Sequence, residues 1–340
     1  MKHRGLVVIV VSATTVFSGT QSWSYPEKTH QFLSVAAASG SVLASSTVLA
    51  DVGLAPLGSA SPDYVGTDNQ ARNALDTIGF GATYEDNAWN TRAFNHFLDP
   101  QHGAAGLSLP GCNAAGVSSA GWAIEDFGDV TQPICNFGVG TTGGQSNDYS
   151  YRQAEQYYYA GLTGSSAPVR ASMYSKMFQS IGAVIHHIQD MGQPQHTRND
   201  SHNGKLQPEK AFYESYALLQ LPSQSAMDAF LNANPYPGQL SGQPSPDFPQ
   251  ARDYWYTQGV SGPQYRGMAE FSSNNYVTIG TEFRSSGAPP NELVIPNATY
   301  PFPNGSGLSP PTPQTVTLTL LGGDRPASFG PGLMSFYAAL

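Results

Sequence analysis

The sequence predicts a mostly α-helical protein, a single compact bundle with long loops. Three observations lead there. Residues 168–191 place Met173, Met177, Ile181, Val184, Ile185 and Ile188 at spacings of three and four, the period of a helix with one apolar stripe. The segments that carry clustered His, Asp and Glu also read as helices, which must pack on one another to bury their apolar faces. The chain holds 36 Gly and 26 Pro, so much of it must be loop. A length of 340 residues suits one large domain, or one domain with an appendage.

The N-terminus reads as a secretory signal over residues 1–22. Lys2, His3 and Arg4 form a basic start, Leu6 to Phe17 a short apolar run, and small residues follow to Ser22. The run is too short to span a bilayer, so a secreted, extracellular protein is expected. Removing it leaves 13 basic and 24 acidic residues, a formal charge of −11. A nucleic-acid-binding surface is basic overall or carries a basic stripe, and this composition suggests neither.

Trp23 then stands at the mature N-terminus. Pro26 and Glu27 suit a first helical turn, and the Ala-rich run behind them continues the helix. His30 falls in its first or second turn, where the plain reading is a surface histidine. Residues 55–75, rich in Gly, Ser, Pro and Asp, read as loop. In IGFGATYEDNAWNTRAFNHFLDPQHG, Asp86 precedes His96 by ten residues. One reading is an exposed acidic turn beside a half-buried helix; the other makes Asp86 and His96 a pair of metal ligands.

Residues 103–147 are poor in charge and rich in Gly, Ser and Thr. They contain Cys112 and Cys135, the only two cysteines. In an exported chain one disulfide between them is the default, worth about 3 kcal/mol. Tyr149 to Gly161 reads as a helix with a dense tyrosine cluster, which packs on the core or, in the alternative, sits at a lipid interface.

The densest chemistry lies in Ile185 to His202, IHHIQDMGQPQHTRNDSH. His186 and Asp190 are four apart, so a helix puts them on one face. Gly192 and Pro194 break the helix, and His196 and His202 follow. Neutral imidazoles and carboxylates at a helix end form a borderline ligand set suited to zinc. His186 lies beside the apolar stripe and is expected to be partly buried. His187, turned by about 100° from it, reads as structural.

The pattern HxxxDxxxPxH, as His186-Asp190-Pro194-His196, resembles the zinc-dependent phospholipase C family of bacteria, whose fold is shared with fungal single-strand-specific zinc nucleases. Other pieces follow in the matching order. Trp23 with Thr29-His30, GATYED, NHFLDP, FYESYALL with Glu214, and RGMAEFSSNNYVTIGTEF at 266–283, similar to a later helix, extend the likeness over 23–285. This delimits a catalytic domain at 23–285. Residues 286–340 form a Pro/Gly-rich extension, with a strand-like run at Thr315–Leu320 and a terminal helix in GLMSFYAAL.

The resemblance implies up to three zinc ions. Asp86, His96, His186 and Asp190 would hold one. His196, a further histidine and Glu214 would hold the second. The amine and carbonyl of Trp23, with His30 and a bridging Asp190, would hold the third. Where the family has a histidine four residues before its last carboxylate, this chain has Lys210, and His202 is the substitute. The implied activity is hydrolysis of the glycerol-side phosphodiester of phospholipids at a membrane surface, by a zinc-bound hydroxide. Asp86 would orient that hydroxide or take its proton, and Arg198 would contact the phosphate. The alternative is a single-strand nuclease with the same metals, in which Phe97 stacks a nucleic-acid base. A reading of another class is a zinc-stabilised secreted binding protein without turnover. No obligate protein partner is inferred.

Overall fold

The computed structural model describes residues 27–45, 47–61, 63–86, 92–100, 106–107, 117–124, 147–193, 195–197, 217–218, 221–233, 254–255, 267–278, 283–285, 293–300, 314–320 and 335–337. Among these the chain is mostly helical. The helices are α1 (Glu27–Ser39), α2 (Ala74–Glu85), α3 (Ser119–Ile124), α4 (Tyr151–Thr163), α5 (Ala167–Asp190), α6 (Gln224–Ala233) and α7 (Met268–Asn275). No helix among the described residues is long and apolar enough to cross a membrane.

α5 is the axis of the bundle, packed most extensively on α2 and α4 and also touching α1 and α3. Its start is set by Ser166, whose hydroxyl accepts from the Val169 N–H at 3.5 Å, and by Pro168 in the first turn. α4 begins the same way, with Ser150 accepting from the Gln153 N–H at 3.2 Å.

The deepest face of α5 is not the apolar stripe. Met173, Ile181, Val184, Ile185 and Ile188 are only partly buried, whereas Ser175, Phe178, Gln179, Gly182, Ala183, His186 and Asp190 are buried. α2 explains the difference. It carries Gly79 and Gly81, which lower helix propensity and hide it in the sequence. A Cβ on Gly81 would stand 2.0 Å from the Gln179 carbonyl oxygen, and one on Gly182 would stand 1.9 Å from the Ile78 oxygen. The two helices therefore cross backbone to backbone. α2 also has a firm start: the Asn73 side chain accepts from the Asp76 N–H at 2.8 Å.

Before α2 a short hairpin, β1 (Tyr64–Val65) with β2 (Ala71–Arg72), turns through Asn69 at φ 61°. One apolar cluster gathers Leu49, Leu57, Tyr64 and Ile78 around Tyr174, Met177 and Phe178 of α5. Another gathers Leu98, Ala120, Ala123, Met191, Trp255 and Ala269, with Val184 and Ile188 packed against it. The C-terminal end of α5 is thus enclosed, and its polar residues face inward.

The remaining strands are β3 (Tyr276–Thr278), β4 (Phe283–Ser285), β5 (Leu293–Tyr300), β6 (Gln314–Leu320) and β7 (Ser335–Tyr337). β6 contains the expected strand run and lies between β4 and β5, antiparallel to both. Two expectations are corrected. Helix α7 stops at Asn275, and residues 276–278 leave it as a strand. Ser335–Tyr337, inside the expected terminal helix, is β7, parallel to β3. Both are short aromatic or β-branched segments, which favour strands once a partner exists, and the partner is distant in sequence.

Candidate metal centre

Four segments bring the donors together. His30 sits in the first turn of α1, where it begins a buried row continued by Ser34 and Ala38. Asp86 is the residue that ends α2, its N–H bonded to the Tyr84 carbonyl. His96 follows a 3-10 turn at Arg92–Asn95. His186 and Asp190 close α5, and His196 lies in the turn behind it. All six side chains are fully buried. Asp86 is therefore no exposed acidic turn, and His186 is completely rather than partly buried.

The distances describe a coordination shell. His186 Nε2 and His96 Nδ1 are 3.2 Å apart. Each lies 3.2 Å from Asp190 Oδ2. Asp86 Oδ1 is 3.6 Å from the His96 nitrogen and 3.7 Å from the His186 nitrogen. Four donors held tetrahedrally at about 2.0–2.1 Å from one zinc ion would lie about 3.3–3.4 Å from one another. The separations bracket that value, so these residues fit a metal ion. The groups His30–His186–Asp190, Asp86–His96–His186 and His96–Asp190–His196 could each hold an ion.

Asp190 links the groups. Its Oδ2 faces His96 and His186, and its Oδ1 is 3.3 Å from His30 Nε2. A carboxylate turned to two donor sets in this way can bridge two ions.

Electrostatics favour the ligand form of the rings. Burial lowers the pKa of His30 and His96 far below the ordinary histidine value, and neighbouring rings, His186 first, lower it further. Burial also lowers His186, against the upward pull of Asp86 and Glu85. Neutral imidazoles are the metal-binding form. Among the described residues the one buried arginine or lysine is Arg92, and it is bound to Glu85. Carboxylates buried among neutral rings are what a cation stabilises.

Second contacts set the tautomers. His30 Nδ1 is 2.7 Å from Gln189 Oε1, and the Gln189 amide donates to Ser34 Oγ at 3.0 Å. Nδ1 is thus the protonated nitrogen and Nε2 the donor facing Asp190. His196 Nδ1 is 3.1 Å from the His96 carbonyl and 3.9 Å from Asp190 Oδ2, and donation to the carbonyl leaves Nε2 as the unprotonated nitrogen. The Leu98 N–H donates to the His196 carbonyl at 2.9 Å, tying the two histidine segments together.

Glu85 and His187 can be placed within reach of an ion together with His96. The arrangement argues for a structural role instead. Arg92 donates to both Glu85 oxygens, at 2.9 and 2.5 Å. Burial pushes Glu85 up, but Arg92 and His187 outweigh it and bring the pKa down to about 2. Arg92 also lies over the rings of Tyr84, Trp122 and Tyr149. His187 spans Glu85 at 3.3 Å and Ser119 Oγ at 3.1 Å, and the Trp255 indole donates to the same hydroxyl at 3.0 Å. This network clamps the shell from behind.

Phe97 differs from its expected role. It is buried, and its ring stacks on His196 at 4.6 Å with a 17° interplanar angle. It has no free face for a nucleic-acid base and instead fixes the His196 ring. Trp23, Arg198, His202, Lys210 and Glu214 lie outside the described residues, as do Cys112 and Cys135. Sequence reasoning missed Arg92 and Gln189. Arg92 follows Glu85 by seven residues, a spacing that no periodicity marks. Gln189 had a usable signal, since it directly precedes Asp190 in the same turn of helix as His186.

No family model, curated protein or solved structure matches the chain.

Proposed function

We propose that the chain is an exported zinc-dependent phosphodiester hydrolase, a phospholipase C acting on the glycerol-side phosphodiester of membrane phospholipids. The observation that carries this reading is the shell of Asp86, His96, His186 and Asp190, together with the second Asp190 oxygen turned to His30. Neighbouring metal positions sharing a carboxylate suit phosphodiester cleavage, because two ions can steady both the attacking and the leaving oxygen. Zinc, when bound, supplies Lewis acidity toward the phosphate oxygens and lowers the pKa of water.

The chain's own residues have separable tasks. Asp190 ties adjacent positions together. Asp86 keeps Oδ1 with His96 and His186, and Oδ2, 4.0 Å from His30 Nε2, is the atom that accepts a proton. Gln189 holds the His30 ring with Nε2 toward Asp190, and the His96 carbonyl anchors the His196 ring through Nδ1. Trp23, His202 and Glu214 complete the ligand set in this proposal, and Arg198 contacts the phosphate.

A second reading has its own support. All six described donors are fully buried, as in closed structural zinc sites. On that reading the protein is a zinc-stabilised secreted binding protein. A nuclease remains the runner-up among enzymes, now without Phe97 as its stacking residue.

Metal analysis of the mature protein, paired with assays on phosphatidylcholine and single-stranded DNA, separates the three. The expected result is at least two zinc ions per chain and chelator-sensitive release of diacylglycerol. Fewer than two ions, or activity that survives chelation, overturns the proposal. Zinc without turnover selects the structural reading, and cleavage of DNA but not lipid selects the nuclease. N-terminal sequencing of the exported protein should begin at Trp23.

A further inference from the structure

The tyrosine cluster at α4 divides in two. Tyr149 is buried, and Tyr157 is half-buried against the apolar cluster of α5. Tyr151, Tyr158 and Tyr159 are exposed, Tyr159 at 69% and the others at 45% and 40%. Packing on the core therefore accounts for only part of the cluster. Leu162 in the same helix and Val169 in the first turn of α5 are exposed as well.

These side chains form one row. At about 100° per residue, Tyr151, Tyr158 and Leu162 fall in a sector about 40° wide, and Tyr159 and Arg152 border it on the solvent side. Gly161 marks the side turned to α5, where a Cβ would stand 2.6 Å from the Tyr174 ring. The row is about 16 Å long on α4. It passes onto α5 at Gly164, where a Cβ would meet Arg170 Cγ at 2.8 Å and Val169 Cγ1 at 3.3 Å. A lone exposed apolar residue needs no account, but a contiguous row marks a contact surface.

Cations border the row. Arg152 is exposed on α4. Arg170 donates from Nη1 to the Gly164 carbonyl at 3.1 Å, and Lys176 lies 5.4 Å from the centre of the Tyr157 ring. Among the described residues none of the three forms an ion pair, whereas Arg72 and Arg92 are tied to Asp68 and Glu85. The carboxylates nearby are Glu155, within the row, and Asp63, across a groove from Arg170. Cations thus outnumber carboxylates here, in a chain that has 15 basic and 24 acidic residues. An acidic chain approaches an anionic surface only through such a face. Tyrosine rings settle at the headgroup level of a bilayer, and arginine and lysine beside them attract anionic headgroups.

We propose that the outer face of α4, with the first turn of α5, is the surface through which the chain settles on an anionic phospholipid bilayer. The proposal rests on the lipid reading above for its choice of partner, and adds the face that meets the lipid.

The test is cosedimentation of the full chain with phosphatidylcholine vesicles, with and without phosphatidylglycerol. Binding to the anionic vesicles should be stronger by about tenfold or more, and should weaken as salt is added. Arg152→Gln and Tyr159→Ser should each weaken it about fivefold, and Glu155→Gln should strengthen it about fivefold. Val42→Ser, exposed on another segment, should leave it unchanged, and thermal melting of all four should stay native. Hydrolysis of monomeric dihexanoyl phosphatidylcholine reads the metal centre without a bilayer, and Tyr159→Ser should leave that rate native. Tyr159-dependent vesicle binding without hydrolysis removes the phospholipase reading and supports this surface. Absence of binding to anionic vesicles overturns the surface, even where the soluble lipid is cleaved. It is equally overturned if Tyr159→Ser and Arg152→Gln bind as the native chain does, or if Tyr159 supports a dimer in sedimentation velocity and no vesicle binding.

Discussion

Replacing Gly182 by alanine tests how the fold sets the metal shell. The new Cβ would lie 1.9 Å from the Ile78 carbonyl oxygen and 2.9 Å from the Ala82 nitrogen. An ordinary carbon–oxygen contact is nearer 3.4 Å, so α2 and α5 must part by more than about 1 Å at the crossing. Both atoms met are backbone and cannot rotate away. Overpacking against backbone costs about 3 kcal/mol, the upper end of its usual range. Alanine returns about 1 kcal/mol of helix propensity. The net expectation is about 2 kcal/mol of destabilisation in urea denaturation of the metal-free protein. The same displacement reaches Asp86, at the end of α2, whose Oδ1 must stay 3.6–3.7 Å from donors on and near α5. Zinc affinity should therefore fall by tenfold or more, as in other misaligned shells. Gly58→Ala is the control, because nothing lies within 4 Å of its added Cβ. Native stability together with native zinc affinity in Gly182→Ala would refute the reasoning.

Other changes probe other parts of the centre. Asp190→Asn should lower the zinc count by at least one per chain, read by elemental analysis, because it weakens a carboxylate facing two donor sets. Gln189→Leu should weaken zinc binding by about 10–100-fold in chelator competition while the helix content stays native, and unchanged affinity would remove its orienting role. Glu85→Gln leaves Arg92 buried without its carboxylate and should cost about 3–5 kcal/mol at neutral pH. That difference should shrink in acid. The unfolded carboxyl, at an ordinary value near 4.5, takes up its proton before the folded one, depressed to about 2. Stability from Glu85 is thus present above about pH 4.5 and is lost as pH falls toward 2, a swing of about 3 kcal/mol. A pH-independent gap between the native chain and Glu85→Gln would contradict that assignment.

What the sequence made legible was local. The three- and four-residue spacing of Met173 to Ile188 located α5, and the His186–Asp190 interval placed two donors on one face of it. Pro26 and Glu27 located the start of α1. The β6 run was visible in its alternating threonines. Features that depend on a distant partner were not visible. α2 carries little local helix signal because Gly79 and Gly81 are poor helix residues; the reason for Gly81 lies in Gln179 on another helix. The burial of His186 was underestimated because the apolar stripe marked the wrong face as deepest. The strand at Ser335–Tyr337 depends on Tyr276–Thr278, far back in the chain.

The separation of the donors in the chain has a consequence for the order of events in maturation. His96 and His186 are 90 residues apart, and His30 meets its Gln189 partner across 159 residues. An ion meeting the unfolded chain would have to close loops of that length before gaining its ligands, and closure entropy grows with loop length. In small zinc domains the metal organises the chain; here the chain must organise itself first. The apolar clusters around Phe178 and Trp255 hold α2, α5 and the segments beside them through residues that include none of the candidate ligands. Under the proposed metal reading, loading would be a separate, later step, controlled by how fast the finished fold admits an ion. If the proposed export holds as well, the fold would form empty and take its ion from the medium outside.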